Sequence, residues 1–283
     1  MPRVIHTGQA LVDIVVEIAG LPERGGNVMA STHHQYAAGA VNVLLAAARA
    51  GATAVHAGAV GTGPNGDLVR AALRAEGVAV TSAPVPGLDT GICLVAVEPD
   101  GERTFITTMD AERHITVESL ATSHPVPGDL VCVTGYSLFE PTRDPLLAWL
   151  EGLSDGVVVV LDPGAAFTSM PDAVRERALA VTGVWTSNSP EAWDLTGLAD
   201  IEEAAAALAR MLGDGAVVVV RDGPEGCWVR EGGVTAHVPG YPQDPVDTNG
   251  AGERTPASWR PNARSGPAGS RRPGARTPQG RSR

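Results

Sequence analysis

The sequence has no lysine, few aromatic residues and only three cysteines among its 283 residues. Cys93, Cys132 and Cys227 are far apart in the chain, and each lies in an apolar, strand-like run. We therefore expect buried free thiols rather than disulfides or a metal site. No apolar run approaches the roughly 18 residues that a membrane span needs. The first residues also lack the cleavage pattern of a signal peptide, so we expect a cytoplasmic protein with no membrane association.

The charge is divided unevenly along the chain. Residues 1–252 hold 13 arginines and 31 acidic residues, a net charge of −18. Residues 253–283 hold eight arginines and one glutamate, a net charge of +7. The acidic body argues against nucleic acid as a partner, because such binding depends on neutralising phosphates. The basic tail leaves a nucleic-acid arm as a minor alternative.

Strand-like and helix-like segments alternate up to Gly252. Runs such as "GVVVVL" and "AVVVVR" are apolar throughout, which is typical of strands covered by helices on both faces. The helix-like segments "AVNVLLAAARAG" and "NGDLVRAALRAEG" each end at a glycine. This alternation predicts an α/β fold: a doubly wound, mostly parallel sheet flanked by helices, over residues 1–252.

Two stretches interrupt the alternation, at about residues 12–35 and 88–109. They carry β-type residues and the hairpin signals "RGGN" and "PDGE", with no helix between strands. They predict a small antiparallel β lid that could close over a site and exclude water. In contrast, residues 253–283 are rich in Arg, Pro, Gly and Ser and have no hydrophobic period, so we expect this tail to be disordered.

Several short motifs are candidates for chemistry, and each has a plainer interpretation. "GTGPNG" at 61–66 fits a dinucleotide turn, but the next strand-like piece has no acidic residue for a ribose, which favours a simple turn. "DTNGAG" at 247–252 is either a backbone cradle for an anion or a Gly-rich turn. "NSPE" is either an ordinary helix start or a place where Asn188 and Glu191 organise hydrated Mg²⁺. Asp13 and Asn42 are either ligands of sugar hydroxyls or exposed polar residues.

Taken in order, the motifs resemble the ribokinase-like (phosphofructokinase B-type) carbohydrate kinase family over residues 3–252. The resemblance rests on eight segments: "GQALVD", "AAGAVNVLLAAARAG", "GAVGTGPNGDLVRAALRAEGV", "TGICLVAVEPDGERTF", "LDPG", "NSPEA", "VVVVRDGPEGC" and "DTNGAG". It implies transfer of the γ-phosphoryl group of ATP to a hydroxymethyl oxygen of a sugar or nucleoside. It further implies Mg²⁺, K⁺ as a possible second cation, and homodimers formed through the lid.

The resemblance also implies roles for individual residues. Those expected at the substrate are Asp13, Gly39, Asn42 and Glu140. Those expected along the nucleotide are Asn188, Arg221, Gly223 and Gly226, with Glu191 acting indirectly on Mg²⁺. Those expected at a monovalent cation are Asp247 and Asn249. Gly250, Ala251 and Gly252 would form the anion hole, and Glu253 takes the position of the family's catalytic aspartate.

The sequence departs from the family pattern in four places. Ala37-Ala38 replaces a Gly-Gly pair, Gly63 replaces an acidic residue, and Glu253 replaces the aspartate that accepts the hydroxyl proton. The longer Glu253 side chain would put its carboxylate about one methylene out of register, and misplacements near 1 Å can cost about a hundredfold in rate. After Glu253, the Arg/Pro tail stands where the family continues with a helix.

A shift of reading frame would account for the tail. The codons GAC-GCG-CAC-ACC-GGC-GTC-CTG-GCG-GCC encode a family-like Asp-Ala-His-Thr-Gly-Val-Leu-Ala-Ala. Deleting the third base gives Glu-Arg-Thr-Pro-Ala-Ser-Trp-Arg-Pro, which is the sequence of residues 253–261. We therefore expect a kinase that is impaired in this chain, or alternatively a non-catalytic sugar-binding pseudokinase. An NAD oxidoreductase is the least favoured interpretation.

Overall fold

The computed structural model describes residues 2–242, and these form a large mixed sheet with a smaller sheet beside it. The strands are β1 Arg3–His6, β2 Ala10–Glu17, β3 Thr32–Gly39, β4 Thr53–His56, β5 Ala79–Val80, β6 Ile92–Val97, β7 Arg103–Thr107, β8 Leu130–Thr134, β9 Val158–Asp162, β10 Thr182–Asn188, β11 Val217–Arg221, β12 Gly226–Glu231 and β13 Val234–Pro239. The helices are α1 Ala40–Arg49, α2 Pro64–Ala75, α3 Val117–Ala121, α4 Arg143–Glu151, α5 Asp172–Val181, α6 Ser189–Thr196 and α7 Ile201–Met211.

The large sheet has nine strands in the order β13-β12-β11-β10-β9-β8-β1-β4-β5. The pairings from β5 to β11 are parallel, and β12 and β13 add an antiparallel edge. One face packs against α3 to α7 around the fully buried Trp185, whose ring meets Phe167 edge-on at 5.5 Å. The other face packs against α1 and α2. The predicted doubly wound, mostly parallel sheet is confirmed.

The small sheet, which we call the lid, has the strand order β3-β2-β6-β7. Its two outer pairings are antiparallel, as predicted, but the central pairing of β2 with β6 is parallel. The reason is the path of the chain, which leaves β3 for the main domain and returns through α1, β4, α2 and β5 before β6 begins. The lid therefore joins two distant parts of the sequence.

Local chemistry fixes where the helices begin and how the first strand is held. Asn188 and Glu191 form a reciprocal capping box at the start of α6, and the Asp200 side chain caps α7 by accepting from the Glu203 N–H at 2.9 Å. At the start of β1, the buried carboxylate of Asp129 accepts from the Arg3 backbone at 2.9 Å and from its Nε at 3.0 Å. Within residues 2–242, no helix is long and apolar enough to span a bilayer.

Candidate active site

A cavity of about 870 Å³ lies between the lid and the carboxyl ends of the parallel strands. The lid contributes Asp13, Cys93, Arg103 and Phe105 to its wall, and the junction of β3 with α1 contributes Gly39, Ala40 and Val43. The strand ends contribute His6, Cys132, Thr134, Asp162 and Arg221, and α6 contributes Glu191. In open α/β sheets, ligands characteristically bind at this carboxyl edge.

Two of the residues expected at the substrate line this cavity. Asp13 is 9% exposed. It pairs with Tyr36 of β3 on one side and with Cys93 of β6 on the other, so it lies in a central strand of the lid. Gly39 has φ +64°, and a side chain there would place its Cβ 2.5 Å from the carbonyl oxygen of Gln9. Only glycine fits at this turn from the lid into α1.

The floor of the cavity carries two carboxylates and one guanidinium. Arg221 donates to Asp162 Oδ2 at 3.0 Å and to Thr186 Oγ1 at 2.9 Å, and its Nη2 lies 3.9 Å from Glu191 Oε2. Burial raises the pKa of Asp162 despite the opposing effect of Arg221. Burial, and then the charge of Asp162, raise the pKa of Glu191. The two carboxylates therefore repel one another across a single arginine.

Asn188 and Glu191 also fit the plainer interpretation of "NSPE". The Asn188 side chain accepts from the Glu191 N–H at 2.8 Å, and Glu191 Oε2 accepts from the Asn188 N–H at 2.9 Å. The pair is thus an ordinary capping box. The box also holds the Glu191 carboxylate at the cavity floor.

Five predicted residues are not among those lining the cavity: Asn188 at the start of α6, and Glu140, Asn42, Gly223 and Gly226. Glu140 is exposed and pairs with Arg143 at 2.9 Å in front of α4, so its expected place beside the substrate stays a prediction. Asn42 lies on the first turn of α1, next to the lining residue Val43. Gly223 and Gly226 flank the short turn between β11 and β12. Gly226 has φ +105° and packs directly on the backbone of β13, which accounts for the glycine.

The remaining predicted residues lie outside the described part of the chain. These are Asp247, Asn249, Gly250, Ala251, Gly252 and Glu253, together with the tail that follows them.

Asp162 and His6 are among the lining residues on the strand ends that sequence reasoning missed. Asp162 is the last residue of the apolar run "VVVVLD", where a carboxylate at the edge of a buried parallel strand is a usable signal. His6 ends β1 in the same way, but a single histidine after a short strand carries little information. His6 and Asp162 line the cavity because each lies two residues after a strand residue, Val4 or Val160, whose side chain packs on the α1 and α2 face of the sheet.

Beside the cavity, His56, His6 and Cys132 occupy the same register on β4, β1 and β8. Burial, with the neighbouring His56, lowers the pKa of His6 to about 3, and burial lowers that of His56 to about 4. Burial raises the pKa of Cys132 to about 12, so its thiol stays protonated at neutral pH. All three cysteines are free thiols, as predicted, with Cys93 and Cys132 buried and Cys227 partly buried.

Known proteins share this architecture. A curated relative, the uncharacterized sugar kinase YegV of Escherichia coli, is 30% identical over 253 residues, which is 88% of this chain and 78% of YegV. A fructokinase from Vibrio cholerae, solved with fructose, ADP and calcium, superposes with TM-score 0.70 at 25% identity and covers 89% of this chain and 81% of its own. An adenosine kinase from Sinorhizobium meliloti matches in fold, with TM-score 0.73 at 20% identity and coverage of 90% and 85%.

The fold and these relatives define a class of phosphotransferases with an alcohol group as acceptor. A sequence model of the family described as "pfkB family carbohydrate kinase" matches residues 1–253. The chain belongs to this family.

The two buried histidines predict acid sensitivity that begins near neutrality. Because their folded pKa values lie below the unfolded value of 6.5, the unfolded chain binds more protons, and stability is lost as the pH falls from 6.5 toward 4. The expected loss is about 1.4 kcal/mol per pH unit for each histidine. In urea denaturation at a series of pH values, His56→Leu should roughly halve this slope. An identical slope in both proteins would contradict the prediction.

Proposed function

We propose that the chain is an ATP-dependent carbohydrate kinase that acts on a hydroxymethyl oxygen of a sugar or nucleoside and is impaired as it stands. The observation that carries this proposal is one cavity that joins Asp13 on the lid to Asp162 and Arg221 on the strand ends and to Glu191 on α6. One end offers a carboxylate for hydroxyl groups, and the other offers charged groups for a metal-bound phosphate chain. The Vibrio cholerae fructokinase was solved with both fructose and ADP, which supports a site for an acceptor and a nucleotide.

On the acceptor side, Asp13 would accept hydrogen bonds from substrate hydroxyls. The backbone of Gly39 and the side chain of Asn42, on the first turn of α1, would contact the same substrate. Asp13 is well placed for this because its strand is held on both sides within the lid. The lid side chains Phe105 and Arg103 line the same end of the cavity and would exclude water from the acceptor.

On the nucleotide side, ATP would lie along Asn188 and Arg221 and the turn that carries Gly223 and Gly226. The mutual repulsion of Asp162 and Glu191 fits a divalent cation, since Mg²⁺ favours one or two carboxylates together with waters and phosphates. When bound, Mg²⁺ would neutralise charge on the phosphates. Glu191 would act on it indirectly, because one of its oxygens caps α6.

The chemical step depends on residues outside the described part of the chain. The carboxylate of Glu253 would take the proton of the acceptor hydroxyl as that oxygen bonds to the γ-phosphorus and ADP leaves. The backbone N–H groups of Gly250, Ala251 and Gly252 would hold the transferring phosphoryl group. Asp247 and Asn249 would contribute to a K⁺ site.

Removal of the lid carboxylate should weaken acceptor binding. Asp13→Asn keeps the size of the side chain but loses the charge that strengthens hydrogen bonds to hydroxyl groups, so affinity should fall about 10- to 100-fold. Isothermal titration with ribose, fructose and adenosine measures this effect. Glu17→Gln, an exposed residue on the same strand, is the matched control. Equal affinity in Asp13→Asn and the wild type would remove Asp13 from the acceptor site.

Shortening the proposed base should raise turnover. Glu253→Asp brings the carboxylate back by one methylene and should increase ADP release about a hundredfold over the wild type. The assay couples ADP release to the same acceptor panel, with Glu253→Ala as the inactive control. Ordinary kinase rates in the unaltered chain would show that it is not impaired. Acceptor binding with no turnover in any variant would favour the pseudokinase alternative.

We further propose that residues 253–283 are kinase codons read one base out of frame. The family match ends at residue 253, where the composition changes from acidic to basic. Sequencing the gene across codon 253 tests this, and we expect a restored frame that begins Asp-Ala-His-Thr. A confirmed frame encoding Glu-Arg-Thr would refute it.

Finally, we propose that the protein works in the cytoplasm and dimerises through the lid. The described lid ends in strands β3 and β7, and Tyr36 and Ile106 on these strands are 54% and 64% exposed. An edge strand offers unpaired backbone groups to a second copy. Sedimentation of the wild type beside Ile106→Lys tests this, and a monomeric wild type would contradict it.

A further inference from the structure

Helix α2 is capped by a residue from a distant part of the chain. Its N-cap is Gly63, which has no side-chain oxygen to offer. Instead, the carboxylate of Asp89 accepts from the Asn65 N–H at 3.1 Å and from the Gly66 N–H at 3.0 Å. These are the second and third residues of the helix, whose N–H groups an N-cap aspartate would ordinarily satisfy.

Gly63 is explained by space rather than by backbone conformation. Its φ of −90° and ψ of −171° are open to any residue. A Cβ at this position would lie only 2.4 Å from Cγ of Asp89 and 2.6 Å from its Oδ2. A side chain at position 63 and the carboxylate of Asp89 would therefore occupy the same volume. In this chain the carboxylate of Asp89 occupies it.

Asp89 also lies in the segment 89–91, which leads from the main domain into β6 and which we call the lid root. Its Oδ1 accepts from the Thr90 N–H at 2.7 Å, while the Asn65 side chain donates to the Thr90 carbonyl at 3.0 Å. The Gly61 N–H donates to Thr90 Oγ1 at 2.9 Å. The turn "GTGPNG" is thus hydrogen-bonded to the segment that leads into β6.

A second carboxylate, that of the buried Glu112, binds the same segment from the other side. Glu112, 3% exposed, accepts from the Gly91 N–H and from the Asp110 N–H, both at 2.8 Å. The Ala111 N–H donates to the Asp89 carbonyl at 3.1 Å. The start of β6 and the segment after β7 are therefore tied to each other and to α2.

The same ties reach the central strand of the lid. The Val12 N–H donates to the Gly91 carbonyl at 3.1 Å, and the parallel pairing then sets Asp13 beside Cys93. We propose that Asp89 is a positioning residue that caps α2 from the lid root and thereby fixes β6, β2 and the place of Asp13 over the cavity. Only the last consequence, an effect on the acceptor, rests on the proposed function.

The charge of Asp89 is well supported in this position. Burial raises the pKa of its carboxyl, but the N–H groups of Gly66, Asn65 and Thr90 outweigh that effect, and Arg70 adds to them, so the pKa lies below its ordinary value. The side chain is therefore an anion at neutral pH, as a helix N-terminus favours.

A reciprocal exchange tests the proposal in the full chain without ligand. Asp89→Gly removes the cap and Gly63→Asp creates a clash, so each should lower the thermal midpoint by about 3–6 °C. The double variant should recover most of that loss, because an aspartate at position 63 can cap α2 once position 89 is empty. Asp67→Asn, in the same turn but with a 74% exposed side chain, is the matched control and should change little.

Amide hydrogen exchange separates the cap from the hold on the lid. In Asp89→Gly, exchange in residues 10–17 and 92–97 should rise about tenfold. It should stay raised in the double variant, since an aspartate introduced at position 63 cannot hold Thr90. Asp89→Asn, which keeps one acceptor oxygen, serves if Asp89→Gly does not fold and should show a smaller rise.

Two results would overturn the proposal: a double variant no more stable than the single variants, or lid exchange unchanged in Asp89→Gly and Asp89→Asn. Titration of Asp89→Gly with fructose and ribose then addresses the acceptor. Raised lid exchange with unchanged sugar affinity would uphold the positioning role of Asp89 while refuting the proposed role of Asp13.

Discussion

The parallel pairing of β1, β8, β9, β10 and β11 is the constraint on which the rest of the molecule depends. Because the strands run the same way, their carboxyl ends meet at one edge, and alternate residues share one face. That geometry brings His6, Asp162 and Arg221 to one cavity, although more than 200 residues separate the first from the last. It also confines β12 and β13 to the edge, where antiparallel strands can be added without disturbing the floor.

Much of the fold could be predicted from the sequence because the signals are local. Apolar runs such as "AVVVVR" mark buried strands, and Gly51 and Gly77 follow α1 and α2 where the pattern placed helix ends. The parallel pair inside the lid could not be predicted, since pairing direction depends on the route between β3 and β6 rather than on either strand's sequence. Some of the residues expected at the site lie together in the structure, and their roles stay predictions. The residues that line the cavity are Asp13, Gly39, Glu191 and Arg221, whereas Glu140 forms an ion pair with Arg143.

The turn "GTGPNG" has an acidic partner that sequence reasoning did not find. Sequence reasoning favoured a simple turn because no acidic residue followed in the next strand. The structure contains an acidic residue, Asp89, but it comes from beyond that strand and occupies the helix N-terminus itself. A carboxylate of the chain thus fills the place that a dinucleotide's phosphates would take.

The joining of β2 to β6 has a consequence for how the molecule folds. Its partners, Asp13 and Cys93, lie 80 residues apart, and α1, β4, α2 and β5 form between them. Closing so long a loop is entropically costly unless the intervening segment is already compact. The lid should therefore assemble late, on a main domain that already exists, and open before that domain unfolds. A protease that samples brief local openings would be expected to reach the lid strands first.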